Sequence, residues 1–304
     1  MKANRFDSIV VFGEVLFDVF PRKKRVLGGA PFNVACHLSG FGLDPVFISK
    51  IGNDDPGREV VRKIDSRGLS AEGLQRDDDL MTGVVKVKIE DGEPSYEIKD
   101  NVAFDFIEKP PAELTNPSKL KLFYHGSLAA RSSVSSSTLY ALAQEQNMEV
   151  FCDVNLRDPW WSKGLVKDIL GWCSYLKVNK DELEELCLIE GIETSKDIKE
   201  MGDKLRQRYP LKCLIVTLGS KGAMLFPQGE EYIFAPSPEV SDFKDSVGAG
   251  DAFSSVSLLG IIKGWSWDAI LARSVTLAAE ICANDGAIPE GNQVYQKLIE
   301  DWEL

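Results

Sequence analysis

Short apolar runs alternate along this chain with segments of helical character, and this alternation constrains the fold more than any other feature. Strand candidates include Val46–Ile51, Lys121–His125 and Cys213–Leu218, and helical patterns such as Pro56–Arg67 lie between such runs. Strands that alternate with helices favour a parallel sheet, because each connection returns through a helix on one face of the sheet. The sequence therefore predicts an α/β fold with a central, mainly parallel sheet flanked by helices.

One stretch departs from this alternation and is typical of an antiparallel hairpin. Residues 84–90 alternate apolar residues with lysines, and a second alternating stretch follows a turn at 91–94. Such a hairpin has one apolar face. Together with strand candidates in residues 15–27, it predicts a small β-lid, formed from about 15–27 and 81–99, over a partner or a site. The alternative is an edge hairpin that extends the main sheet.

The charge of the chain limits the classes of partner that it can bind. Lys and Arg number 35 against 47 Asp and Glu, so the formal net charge is −12. Nucleic acids and anionic membranes need a basic surface, so we expect neither as a partner. The six cysteines show no CxxC pair, and no apolar run is long enough for a signal peptide or a membrane span. We therefore expect a cytoplasmic protein.

Several common catalytic motifs are absent from the sequence. There is no GxxxxGK[ST] phosphate-binding loop, and the run that begins at Gly248 lacks the last glycine of a dinucleotide fingerprint. The only histidines are His37 and His125, and there is no HExxH. The sequence therefore favours neither a histidine-based zinc site nor a Ser-His-Asp triad.

The most informative run is Asp245-Ser-Val-Gly-Ala-Gly-Asp251, which leads directly into an apolar segment of helical character. Free amides at the start of a helix, unobstructed by side chains, can hold an anion with help from the helix dipole. Asp251 would repel a phosphate, but it fits if it takes a proton from a hydroxyl while the amides hold the transferred group. The alternative is a glycine turn in which Asp251 only caps the helix.

A second glycine cluster, Gly28-Gly29, precedes Pro31 and Asn33. Paired glycines allow the backbone to approach a ligand closely, and proline suits the first turn of a helix. Asn33 would then project from that turn as an amide that binds hydroxyls. A flexible hinge is the alternative, and the two are compatible because a lid needs a hinge.

These two runs resemble the two signatures of the ribokinase-like, or PfkB, family of carbohydrate kinases, in the family's order. Five shorter pieces between and after them also follow that order. They are Gly13-Glu14 with Asp18, Asp153-Val-Asn155-Leu-Arg157, Asn179-Lys-Asp-Glu182, Thr217-Leu-Gly219-Ser-Lys-Gly222 and Gly286-Ala287. The resemblance covers residues 8 to about 290 and implies one ribokinase-like kinase domain over 1–304, with the β-lid over the sugar.

The resemblance implies a role for each matching residue. Asp251 is the catalytic base, and the amides of Gly248, Ala249 and Gly250 form the anion hole. The residues implied to contact the sugar are Asp18, Gly28, Gly29, Asn33, Phe104 and Arg157. The residues implied to contact ATP are Asn179, Glu182, Thr217, Gly219 and Gly222.

The resemblance also implies two kinds of metal ion. Glu182 would hold Mg²⁺ through water, while Asp245 and the carbonyls of Val247, Ile281, Asn284 and Gly286 would hold a monovalent cation, K⁺. From spacing alone, Asn179 and Glu182 also form a good helix-capping pair. Asp245 could likewise merely cap its turn.

The identity of the sugar depends on a few positions. Ribose kinases of the family carry a mid-chain glutamate where this sequence has Gly126, and the runs at 13–18, 101–105 and 125–127 resemble fructokinases more closely. The run from Asp153 through Asn155 to Arg157 matches a pattern that occurs both in fructokinases and in kinases of 2-keto-3-deoxygluconate, whose carboxylate an arginine could hold. The alternative for Arg157 is an ion pair with Asp153 or Asp158.

The expected function is ATP-dependent phosphorylation of a sugar hydroxyl, most specifically the 6-hydroxyl of fructose. The alternatives are a kinase of 2-keto-3-deoxy sugar acids and a catalytically silent sugar-binding or regulatory protein on the same scaffold. The apolar face of the lid is compatible with a homodimer through the lid.

Overall fold

The structure is a computed structural model that describes residues 9–20, 25–90, 93–116, 120–144, 148–195 and 197–304, with only the backbone described at 87–90 and 93–96. The turn predicted at residues 91 and 92 lies outside the described residues.

Strands and helices alternate through most of the described chain. The strands are β1 (Ile9–Phe12), β2 (Leu16–Val19), β3 (Arg25–Gly28), β4 (Val46–Gly52), β5 (Leu74–Asp77), β6 (Gly83–Glu90), β7 (Glu93–Ile98), β8 (Leu122–His125), β9 (Glu149–Asp153), β10 (Tyr175–Asn179), β11 (Cys213–Thr217), β12 (Ala223–Pro227) and β13 (Ile233–Ala235). The α-helices are α1 (Ala30–Gly40), α2 (Asp55–Ser66), α3 (Ser133–Ala143), α4 (Lys163–Trp172), α5 (Lys180–Ile189), α6 (Ile198–Arg208), α7 (Ala249–Lys263), α8 (Trp267–Cys282) and α9 (Gln293–Trp302).

Nine strands form one large sheet in the order β13-β12-β11-β10-β9-β8-β1-β4-β5. All neighbours from β11 to β5 are parallel, while β12 and β13 are added antiparallel at one edge. The predicted α/β fold with a mainly parallel sheet is therefore confirmed. Because parallel strands all end at the same edge of a sheet, the residues that follow β8 to β11 come together there.

The strands predicted for the β-lid form a second sheet of their own, in the order β3-β2-β6-β7. Strands β2 and β6 are parallel, and β3 and β7 each add antiparallel at an edge. The alternative, an extension of the main sheet by the hairpin, does not occur in the described chain. This four-stranded unit is called the small sheet below.

Both faces of the large sheet are buried, because residues on each strand alternate between two core layers. In β1, Ile9 and Val11 pack into one layer, while Val10 and Phe12 pack into the other. Full burial of each such side chain contributes about 1.5–3 kcal/mol. Helices therefore cover both faces, which fixes the sheet edge as the place for polar groups.

Helix α3 begins inside the serine run at 132–137, at Ser133. The Ser137 hydroxyl donates to the Ser133 carbonyl at 2.7 Å, so it bonds within the helix and does not compete with it. None of the described helices is both long and apolar enough to cross a bilayer.

Candidate active site

A cleft lies where the C-terminal ends of the large sheet's strands face the small sheet. Its walls come from the β1–β2 connection, the small sheet, the starts of α1 and α7, and the ends of β9, β10 and β11. The lining residues are Glu14, Leu16, Asp18, Phe20, Gly29, Ala30, Asn33, Val85, Ile98, Leu128, Asp153, Asn155, Leu156, Arg157, Asp158, Lys177, Asn179, Glu182, Thr217, Ser246, Val247, Gly248, Gly250 and Asp251.

Helix α7 carries Asp251 in its first turn, at the base of the cleft. The turn before it requires glycine at 248, where φ is +79° and an added Cβ would lie 2.3 Å from the Ala287 side chain. The start of α7 therefore packs closely against the segment around Ala287. This packing holds the Asp251 carboxylate in the cleft.

The Asp251 carboxylate is positioned by a second helix. The Asn33 amide nitrogen donates to Asp251 Oδ2 at 2.7 Å, which joins the first turn of α1 to that of α7. Burial raises the pKa of Asp251 to about 7, with a further rise from Asp153, while Asn33 and Lys177 oppose the shift. A carboxyl with this pKa is suited to accept a proton near neutral pH.

Two of the three amides predicted for the anion hole are free. The Ala249 amide donates to the Ser246 carbonyl at 3.2 Å. The amides of Gly248 and Gly250 have no acceptor among the described residues. With the dipole of the 15-residue helix α7 behind them, they form a cradle for an anion.

The second glycine cluster places α1 close to the β1–β2 connection. Gly29 has φ +110°, and an added Cβ would lie 2.6 Å from the Glu14 carbonyl oxygen. Only glycine fits there, so the start of α1 and its Asn33 are brought against Glu14. Gly29 lines the cleft, whereas Gly28 does not.

A buried ion pair beside Asp251 was missed from the sequence. Lys177 Nζ donates to Asp153 Oδ2 at 2.6 Å, and the Ser254 hydroxyl donates to the same oxygen at 2.8 Å. Burial opposes the charge of Lys177, but Asp153, Glu182 and Asp251 raise its pKa, so it stays an ammonium group. Lys177 is the one charged residue among the apolar residues of β10, a signal that could have found it.

Asn179 and Glu182 form the capping box that their spacing predicts, and both also line the cleft. Asn179 Oδ1 accepts from the Glu182 amide at 2.9 Å, and Glu182 Oε2 accepts from the Asn179 amide at 2.8 Å. Glu182 Oε1 accepts from the Leu156 amide at 2.9 Å. Burial raises the pKa of Glu182. Asn179 and Glu182 can therefore cap the helix and also belong to the site.

Two further acidic residues, Glu14 and Asp18, also line the cleft. Glu14 is 3% exposed, its Oε2 has no hydrogen-bond partner, and burial raises its pKa to about 6 despite the opposing charge of Arg157. Burial also raises the pKa of Asp18, and Arg157 again opposes the shift. The alternative for Arg157, a pair with Asp153 or Asp158, does not occur among the described ion pairs.

The charged side chains that line the cleft determine whether an anionic ligand needs a metal cation to bind there. Six carboxyl groups line the cleft against the cations of Lys177 and Arg157. A polyphosphate in this cleft would be repelled unless a metal cation accompanied it. Carboxylate and amide oxygens are the ligands that Mg²⁺ prefers, and Glu182 and Asn179 supply them. The residues present therefore fit a bound Mg²⁺.

Four of the predicted binding residues lie outside the lining. Gly219 and Gly222 belong to the turn between β11 and β12, behind Thr217, and Gly28 lies at the end of β3. The Phe104 ring is fully buried and packs under the Arg131 guanidinium, 4.9 Å from the ring centroid. Their contacts with ligand stay predictions.

The loop with Asp245 lies against the end of α8. The Lys244 amide donates to the Cys282 carbonyl at 2.9 Å, which brings 245–247 next to 281–286. Asp245 Oδ1 accepts from the Val247 amide at 2.8 Å, so Asp245 does cap its turn. The Ile281 carbonyl already accepts from the Asn284 amide at 2.9 Å. The monovalent-cation site stays a prediction.

The class of protein that the fold and this cleft define has known relatives. The profile of the pfkB family carbohydrate kinases matches residues 7–293. This match covers nearly the whole chain, and the chain therefore belongs to the pfkB family of carbohydrate kinases.

Similar proteins within the family are named for different substrates. Probable fructokinase-4 of Arabidopsis thaliana is 30% identical over 306 residues, which covers 92% of each chain. The aminoimidazole riboside kinase of Salmonella typhimurium is 29% identical and covers 91% of this chain and 88% of its own. The structure of a Xylella fastidiosa fructokinase with bound ATP superposes with a TM-score of 0.83 at 20% identity, covering 98% of this chain and all of that one.

Proposed function

We propose that the protein transfers the γ-phosphoryl group of ATP to a sugar hydroxyl, and that the sugar is fructose, phosphorylated at its 6-hydroxyl. The observation that carries the transfer is Asp251, which has a raised pKa and lies beside two free amides at the start of α7. A proton acceptor and an anion cradle at one point are what attack by a hydroxyl on a phosphoryl group requires.

In the proposed reaction, an Asp251 oxygen takes the proton of the sugar hydroxyl. The hydroxyl oxygen forms a bond to the γ-phosphorus, the bond to the β–γ bridging oxygen breaks, and ADP leaves. The amides of Gly248 and Gly250 stabilise the charge on the transferred group. Lys177 adds a fixed positive charge near Gly250, since a Cβ on that glycine would lie 3.5 Å from its Nζ.

Mg²⁺ bound near Asn179 and Glu182 would neutralise phosphate charge. These two residues would bind the nucleotide, while Asp18, Asn33 and Arg157, which also line the cleft, would bind the sugar. The small sheet would close over the sugar, with Gly28 and Gly29 as the hinge. K⁺ near Asp245 would order the loop that carries Gly248.

Two observations support fructose over ribose. Gly126 stands where ribose kinases of the family carry a glutamate, and it lies at the end of β8, where an added Cβ would face the Asp153 carbonyl at 3.7 Å. The name of the Arabidopsis relative points to the same sugar. The Salmonella relative acts on a riboside by its name, so a riboside belongs in any test.

A sugar acid is the second candidate, and Arg157 favours it. The guanidinium lines the cleft and forms no ion pair among those of the described residues. An unpaired arginine can hold a carboxylate with two parallel hydrogen bonds. The nearby acidic groups of Glu14 and Asp18 would oppose such a ligand, which is why fructose is proposed first.

A coupled ADP-release assay tests the proposal with fructose, ribose, aminoimidazole riboside and 2-keto-3-deoxygluconate, in K⁺ and in a bulky organic cation at equal ionic strength. We expect kcat/KM for fructose to exceed that for ribose by at least about tenfold, which is about 1.4 kcal/mol. Equal turnover of the two sugars would contradict the choice of fructose. Sugar binding without turnover of any substrate would instead support a silent binding protein.

A further inference from the structure

Three soft metal ligands meet in the core, outside the cleft. His125 ends β8, Cys152 lies opposite it in the register of β9, and Cys173 follows α4. The two strand residues are 0% exposed and Cys173 is 2% exposed. One ligand atom from each of the three lies within 4.8 Å of the other two.

The imidazole of His125 is held in the form that can bind a metal ion. Its Nδ1 lies 2.9 Å from the Gly126 carbonyl, which can only accept, so Nδ1 carries the proton. Nε2 is then the unprotonated nitrogen, and it is buried with no hydrogen-bond partner. A histidine that donates from one nitrogen to a carbonyl and leaves the other free is the usual arrangement of a metal ligand.

We propose that His125, Cys152 and Cys173 bind one Zn²⁺ ion in the core of the protein. Zinc–sulfur and zinc–nitrogen bonds of about 2.3 and 2.0 Å place the ligand atoms of a tetrahedral site roughly 3.4–3.8 Å apart. The observed group needs to contract by only about 1 Å to reach that spacing. Three protein ligands leave the fourth position to a small exogenous ligand.

Charge favours a divalent ion over a monovalent one. The surroundings are apolar, with the Phe123 ring 5.7 Å from the imidazole and Leu170 in the same core layer. On binding, each thiol loses its proton to solvent and each sulfur donates an electron pair to the metal. Two thiolates then balance the charge of Zn²⁺, and no net charge is buried.

A metal-free core explains less of the geometry. Without a metal, the Cys173 thiol donates to the Ile169 carbonyl at 3.1 Å, and burial raises the pKa of Cys152 well above its ordinary value, so Cys152 would stay a thiol. That arrangement leaves Nε2 of His125 without a hydrogen bond of normal geometry, although the Cys152 thiol lies near enough to interact with the imidazole. The sequence did not indicate this site because its ligands are 27 and 21 residues apart on different elements.

The test uses the whole chain, made in cells grown with added Co²⁺ so that the ion can enter before the core closes. Cobalt replaces zinc and shows a thiolate-to-cobalt absorption band. The variants are Cys152→Ser and Cys173→Ser, with Cys213→Ser as the matched control, because Cys213 is equally buried on a strand in the other core layer. Metal per chain, absorption and Tm are measured under a thiol reductant, without any kinase assay.

We expect about one cobalt ion per chain, with the thiolate band, in the natural protein and in Cys213→Ser. Cobalt per chain and the thiolate band should fall at least about tenfold in each ligand variant, and Tm should rise with metal only where the ion binds. A natural protein without metal, or with metal but no thiolate band, overturns the proposal. So does metal that both ligand variants retain. If a serine variant is insoluble, His125→Asn is the replacement.

Discussion

Replacing Asp251 with asparagine tests whether Asp251 acts as the catalytic base or only caps helix α7. Asp251→Asn keeps the shape of the side chain and can still bond to Asn33, but it removes the proton acceptor. We expect kcat to fall by about 10²–10⁴ while sugar binding stays within a few-fold. Asp268→Asn is the control for the substitution itself, because Asp268 also lies in the first turn of a helix but does not line the cleft.

Steady-state kinetics and sugar binding by calorimetry decide this prediction. A residual kcat above about a tenth of the natural value would contradict the role of Asp251 as the base. Both aspartate and asparagine cap helices well, so a mere capping residue would tolerate the change.

Lys177 should matter for stability as well as for the site. Lys177→Met leaves the Asp153 carboxylate buried without its cation, and we expect a loss of about 3–5 kcal/mol in the free energy of unfolding. Lys180→Met is the control, because Lys180 pairs with Glu184 at 3.1 Å on an exposed helix face. It should cost under about 1 kcal/mol.

Urea unfolding measures both variants. The double variant Lys177→Met with Asp153→Asn should recover part of the loss, since the unpaired charge is gone. Equal stability of the two lysine variants would show that the buried pair contributes nothing beyond a surface pair.

At the scale of elements, the contact between α1 and the β1–β2 connection depends on Gly29. Gly29→Ala combines a strained φ with a Cβ 2.6 Å from the Glu14 carbonyl, so the start of α1 must move. Gly42→Ala has φ +84° but nothing within 4 Å, so it reports the strain of the backbone alone. We expect about 1 kcal/mol for Gly42→Ala and at least about 2–3 kcal/mol for Gly29→Ala.

The same displacement should reach the chemistry, because Asn33 on α1 donates to Asp251 on α7. Gly29→Ala should therefore lower kcat, and Gly42→Ala should not. Thermal unfolding and turnover of each variant check this. Equal losses in both would mean that the close approach at Gly29 has no consequence.

For the whole molecule, the raised pKa values of Asp251 and Glu14 predict how stability changes with pH. Their ordinary pKa values are near 4, and the folded values are about 7 and 6. Between these limits the folded state holds more protons than the unfolded chain, so stability falls as pH rises from about 4 to 7. The contribution of each group is complete below pH 4 and lost above its folded pKa.

Asp251→Asn removes one of these groups. In the absence of ligands, the variant should gain stability over the natural protein at pH 8 by a few kcal/mol, with little gain near pH 4. Urea unfolding of both proteins at the two pH values measures the difference. A gain that is the same at both pH values would contradict the raised pKa.

Local patterns in the sequence determined the architecture and the outline of the site. Alternation of apolar runs with helices fixed the mainly parallel sheet, since it reflects burial of each strand on both faces. Period-two alternation located the strands of the small sheet. Glycines at 29 and 248 marked the two helix starts, because a left-handed or crowded backbone there excludes other residues.

The tertiary structure alone decided which polar groups meet. Lys177 and Asp153 face each other because β9 and β10 are neighbours in parallel register, and the sequence does not state strand order. The same holds for His125 and Cys152 on β8 and β9. The raised pKa of Asp251 likewise depends on charges and burial from four separate segments. Contacts between residues far apart along the chain arise only when the sheet assembles, so local sequence patterns carry no record of them.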